Sequence, residues 1–143
     1  VYREDYSYEI GKANTLREGN DITIIAAGTM VYVSLEAADI LLEQGISATV
    51  VNMHTIKPID TSMIEKACES SKLIVTVEEH STIGGLGSAV AEYKATLKNT
   101  PSQFFIGLPD NHGKAGEYKD LLEKHGLTAI QIAKGIVNQY EKV

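Results

Sequence analysis

Three short apolar, β-branched runs recur along this sequence, each followed by a helical pattern, and that alternation restricts the chain to a small group of folds. The runs are Asp21-Ile22-Thr23-Ile24-Ile25-Ala26-Ala27, Ala48-Thr49-Val50-Val51-Asn52-Met53 and Leu73-Ile74-Val75-Thr76-Val77. Each reads as a strand buried on both faces, the pattern of a parallel sheet covered by helices. Gly28-Thr29 breaks the first run. Val31, Leu35, Ala38, Leu41 and Leu42 then recur at helical spacing up to Gln44-Gly45, where Gly45 suits the position just past a helix end. After the second run, His54-Thr55-Ile56-Lys57-Pro58 leads to Asp60, a good N-cap, with Ile59 and Ile64 spaced as a hydrophobic staple. Ile64, Ala67 and Cys68 share one face, which makes Cys68 a core residue rather than a reactive thiol.

The rest of the chain continues the pattern. Gly84-Gly85-Leu86-Gly87 opens a helix on which Leu86, Ala89, Val90, Tyr93 and Leu97 share a face. Pro101 separates it from a strand around Gln103-Phe104-Phe105-Ile106-Gly107. Tyr118, Leu121 and Leu122 form a short stripe ended by Gly126. Thr128-Ala129-Ile130-Gln131 reads as a capping box, with Leu127 and Ile132 as its staple and Ile132, Ala133, Ile136, Val137 and Tyr140 on one face beyond it. The N-terminal piece Tyr8 to Arg17 alternates loosely, and only Glu18-Gly19-Asn20 joins it to the first run. That link is too short for a crossover helix, so those two strands are not parallel neighbours. The expected architecture is α/β: a mostly parallel sheet with one antiparallel strand between helices on both faces. Residues 8–143 are expected to form that domain, and residues 1–7 an incoming linker. Tyr2, Tyr6 and Tyr8 are either an aromatic patch for a partner or a linker packed on its own domain.

Composition narrows the function. The chain has 143 residues, enough for one domain, and its 43% apolar and 22% charged content excludes a disordered tail or a collagen-like rod. Cys68 has no cysteine to pair with inside the chain, so nothing requires an oxidising compartment. No apolar run approaches the ~20 residues of a membrane span, and Val1-Tyr2-Arg3-Glu4-Asp5 is no signal peptide. Thirteen basic against nineteen acidic residues give a net charge of −6, without the basic face that nucleic acid requires. A cytoplasmic domain with no membrane or nucleic-acid partner is expected. The chain does not begin with methionine and reads as a piece of something longer.

Gly84-Gly85-Leu86-Gly87 is not a dinucleotide-binding turn. Val90 stands where G-x-G-x-x-G needs Gly or Ala, Glu78 to Ile83 separate the glycines from the strand, and no strand-ending acid follows about twenty residues on. Gly107 to Gly113-Lys114 is not a phosphate loop, because its spacing is wrong and Ala115 replaces the magnesium-binding Ser or Thr. The glycines let a helix start pack against a neighbouring backbone, and such a start can also receive an anion. Glu78-Glu79-His80 closes a buried strand where ligands gather in parallel sheets. A Glu and a His there either do general acid–base work or form a hydrogen-bonded pair fixing a loop. His54, His80 and His112 follow strand ends at spacings unlike a zinc site. No G-x-S-x-G elbow is present.

Six runs occur in order: Glu9-Ile10-Gly11-Lys12-Ala13; Leu16 through Gly28; Val51 through Asp60; Val77-Glu78-Glu79-His80; Gly84 through Glu92; and Ile106-Gly107-Leu108-Pro109-Asp110. Together they resemble the C-terminal domain of the thiamine-diphosphate-dependent transketolase family, in particular that of transketolases made as two chains. Deoxyxylulose-5-phosphate synthase and the β subunits of 2-oxo acid dehydrogenases carry similar runs. The resemblance implies a five-stranded mixed sheet and a two-carbon ketol transfer between sugar phosphates using thiamine diphosphate and Mg²⁺. It implies that both are held by other domains, so no catalytic, cofactor or metal residue is carried over to this sequence. The implied partners are a pyrimidine-binding domain and an N-terminal transketolase subunit, in a homodimer or heterotetramer. The resemblance implies a subunit-association domain with no activity alone; the alternatives are a free-standing module that binds a small molecule or anion, or the same domain of a deoxyxylulose-5-phosphate synthase or a 2-oxo acid dehydrogenase β subunit. The family's strand order sets the first and third apolar runs side by side. Gly28, Thr29, Glu78, Glu79, His80, Gly84, Gly85 and Gly87 would then flank one crevice or interface.

Overall fold

The computed structural model describes residues 7–111, 113 and 115–143. Tyr2, Tyr6, His112, Lys114 and nearly all of the expected linker lie outside them. Five strands form one sheet: β1 (Asn14–Arg17), β2 (Ile22–Ala26), β3 (Ala48–Asn52), β4 (Leu73–Ser81) and β5 (Ser102–Leu108). The helices are α1 (Met30–Glu43), α2 (Thr61–Ser70), α3 (Leu86–Lys94), α4 (Tyr118–Lys124) and α5 (Ala129–Tyr140). The sheet order is β1-β3-β2-β4-β5. All neighbours are parallel except β1, which runs antiparallel to β3. The mixed α/β architecture read from the sequence is therefore the one observed. The short Glu18–Asn20 link suffices because β1 and β2 flank the same strand, two strand spacings or roughly 10 Å apart.

The uninterrupted apolar runs divide between two cores, as a two-faced strand must. Ile22, Ile24, Ala26, Val50, Val75 and Val77 pack with Met30, Ala37, Ala38 and Leu41 of α1 and Ile132, Ala133 and Ile136 of α5. Ile25, Val51 and Ile74 turn the other way, toward Ile64 and Ala67 of α2 and Leu86 and Val90 of α3. Cys68 is half-buried at the edge of that second core, in keeping with its place on α2. Asp60 caps α2 by accepting from the Met63 N–H at 3.1 Å. The Thr128–Gln131 capping box is formed in full.

Three helix faces differ from the sequence reading. Leu42 lies in the solvent, because the buried stripe of α1 runs through Met30, Ser34, Ala37, Ala38 and Leu41. The α4 stripe buries nothing completely, and Tyr118 is exposed. On α3, Lys94 is only 7% exposed and its ammonium donates to the Pro101 carbonyl at 2.8 Å. Burial holds that ammonium below the usual lysine value, with the Cys68 sulfur acting weakly against the shift.

Ile24 and Val75 are paired across β2 and β4, and both are fully buried. Val75 also has β5 on its other side, where it pairs with Phe104. Val75→Asp places an unpaired charge between two strands and is expected to abolish cooperative folding, seen as loss of the thermal transition. Lys94 gives a pH signature. Between its lowered folded value and the unfolded value of about 10.5, the unfolded chain binds more protons, so this residue's contribution to stability rises with pH. Thermal melts of the wild type and Lys94→Met should therefore converge as pH rises toward the unfolded value of about 10.5, with the variant the more stable at lower pH.

Candidate functional site

The sheet changes winding direction between β2 and β4. The chain leaves β2 into α1 on one face and leaves β4 into α3 on the other. Open α/β sheets hold their ligands outside the strand ends at such a point. Here a cleft of about 470 Å³ is lined by Gly28, Thr29, Glu78, Glu79, His80, Gly84 and Gly85, together with Ala27 and Ile56. A second lobe of about 300 Å³ shares Ala27, Gly28 and Ile56 and extends to Met53 and His54. The structure thus gathers seven of the eight crevice residues read from the sequence. Gly87 lies deeper, buried on the first turn of α3.

Glu78 does not end its strand. β4 runs on to Ser81, and Glu78 is 5% exposed on the α3 side of the sheet. Its Oε2 accepts from the Leu86 N–H at 2.7 Å and its Oε1 from the Gly87 N–H at 2.8 Å. A carboxylate on the first N–H groups of a helix also meets the positive end of the helix dipole. The anion position expected at this helix start is therefore filled by the chain's own side chain. The glycines make room for it. A Cβ on Gly85 would collide with Glu78 Oε2, and one on Gly87 would stand 2.5 Å from Phe105 Cδ1 and 2.8 Å from Thr76 Oγ1. The close approach is to side chains, not to a neighbouring backbone.

Glu79 faces the other way, as alternation along a strand requires. Its Oε2 accepts from Thr29 Oγ1 at 2.6 Å and from the Tyr118 hydroxyl at 2.8 Å. Accepting that proton, Glu79 holds the Tyr118 phenol above its usual value. Tyr118 belongs to the site but lies 39 residues away in sequence, and no local motif marks it. His80 is exposed, with Nδ1 2.9 Å from the Ser81 carbonyl and 3.8 Å from Glu78 Oε2. Glu79 and His80 thus contact different groups, and the carboxylate in ion-pair range of His80 is that of Glu78. His54 Nδ1 lies 3.1 Å from Thr55 Oγ1, and the Tyr8 ring meets the His54 ring edge-on at 5.1 Å. Of the three N-terminal tyrosines, Tyr8 is the one described, and it packs on its own domain.

Among the described residues, no group of three or more His, Cys, Asp or Glu is placed to hold a metal. A diphosphate with magnesium needs clustered oxygen donors and free N–H groups. Glu78 already occupies the Leu86 and Gly87 N–H groups of α3, and Glu79 would repel the anion. The residues of this crevice do not fit thiamine diphosphate.

Fold and crevice together define an open, doubly wound α/β domain with an acidic switch-point cleft. The model of the family described as "Transketolase, C-terminal domain" matches residues 11–132. A Methanocaldococcus jannaschii protein named "Putative transketolase C-terminal section" is 46% identical over 97% of this chain and 43% of its own length. A Synechococcus protein named 1-deoxy-D-xylulose-5-phosphate synthase is 43% identical over 92% of this chain and 20% of its own. A solved structure described as "Split gene transketolase, inactive beta4 tetramer" superposes with a TM-score of 0.90 at 40% identity, over 96% of this chain and 45% of that one. The chain belongs to the transketolase C-terminal domain family. It spans less than half the length of these relatives.

Glu78→Ala should leave two helix N–H groups without their acceptor and cost about 3 kcal/mol, lowering Tm by roughly 10 °C. Glu79→Gln, on an exposed carboxylate, should change stability by less than about 1 kcal/mol. Thermal denaturation of the two variants beside the wild type checks both.

Proposed function

We propose that this chain is the C-terminal domain of a transketolase subunit, serving subunit association in a cytoplasmic enzyme that transfers a two-carbon ketol unit between sugar phosphates. The observation that carries this reading is the joint likeness, in sequence to a protein named a putative transketolase C-terminal section and in fold to a split-gene transketolase. In the complete enzyme, thiamine diphosphate and Mg²⁺ belong to other domains, consistent with a crevice whose donors are already engaged. The partners are a pyrimidine-binding domain and an N-terminal subunit, in a homodimer or heterotetramer. A second reading, the same domain of a deoxyxylulose-5-phosphate synthase, is favoured by the likeness to the Synechococcus protein.

The full subunit, mixed with its N-terminal partner, should transfer a ketol unit between sugar phosphates; formation of deoxyxylulose phosphate instead would support the second reading. The 143-residue chain alone should show no saturable, magnesium-dependent heat of thiamine diphosphate binding by calorimetry. Such heat would overturn the assignment of the cofactor to other domains.

A further inference from the structure

We propose that the crevice between the ends of β2 and β4 docks a lysine or arginine from the domain preceding this one in the same subunit, with Glu79 as the receiving carboxylate. The proposal rests on the transketolase-subunit reading and names the chemistry of one of its contacts. Both hydroxyl donors to Glu79 meet Oε2, so Oε1 accepts nothing among the described residues. The ion pairs among those residues are Arg17–Asp39, Lys66–Glu18, Lys72–Asp21 and His80–Glu78, and none includes Glu79. Thr29 and Tyr118 fix the carboxylate in place before any cation arrives, which lowers the ordering cost of a charged contact.

The walls suit a long basic side chain. Ile56, in the cleft wall beside Ala27, is 43% exposed. Apolar surface of this kind takes the methylene stem of lysine or arginine while the head group reaches a carboxylate. The path of the chain selects the source. Because β1 is antiparallel, Asn14 is level with Asn52 at the end of β3 where the crevice opens. Tyr8 then packs on His54, which lines the second lobe. The described chain therefore begins beside the crevice, which favours a side chain from what precedes this domain as the occupant. A second copy fits less well, since it would bring a chain of net charge −6 toward an acidic cleft.

Amide hydrogen exchange tests this on the full-length subunit beside the 143-residue chain. Peptides covering residues 27–31 and 78–86 should exchange about tenfold more slowly in the full subunit. Glu79→Arg in the full subunit should remove that protection, and Glu79→Gln should remove part of it, with the β2 and β3 core peptides unchanged. Equal exchange in chain and subunit would overturn the proposal, as would protection that survives Glu79→Arg. Protection that arises only when the N-terminal subunit is added would also overturn it, by giving the crevice to another chain. A protected crevice in a subunit that transfers no ketol unit would instead refute the transketolase reading and leave the docking contact standing.

Discussion

A carboxylate withdrawn from water is costly unless hydrogen-bond donors replace its lost hydration, and Glu78 finds two in the first turn of α3. That contact joins the sheet to a helix on its second face and sets where α3 begins. It also explains the glycines, since Gly85 and Gly87 are the positions where a side chain would collide with Glu78, Thr76 or Phe105. The C-terminal edge of the sheet is shaped around this one internal anion.

Strand alternation turns the same segment into two environments. Glu78, on the α3 side, is buried and engaged, whereas Glu79, one residue on, reaches Thr29 at the start of α1 and Tyr118 at the start of α4. The crevice floor is thus acidic but not a cluster of interchangeable acids. One carboxylate holds the fold, and the other is offered at the surface. An anionic cofactor meets the first already satisfied and the second unfavourable.

Much of the fold is legible in the sequence because Asp21–Ala27, Ala48–Met53 and Leu73–Val77 are apolar on both faces, and few architectures bury such strands. Caps are equally legible at Asp60 and Thr128, where the chemistry is local. The continuation of β4 to Ser81 is not, because three ionisable residues in a row resemble a loop until a partner for the buried one is known. Lys94 escapes for the same reason: its burial depends on the Pro101 carbonyl, which helical spacing does not reveal. In the site, the glycine turn is visible, but its occupant is not.

The internal cap bears on what this domain can do. In open α/β folds a helix N-terminus at the switch point is the usual place for a ligand phosphate, and its free N–H groups supply most of the recognition. With Glu78 bound there, the remaining crevice offers apolar walls, two hydroxyls already turned to Glu79, and one carboxylate oxygen. Those features recognise a cationic side chain with an apolar stem better than they recognise a phosphate. At this switch point the helix start that would hold a phosphate is occupied by the chain's own carboxylate.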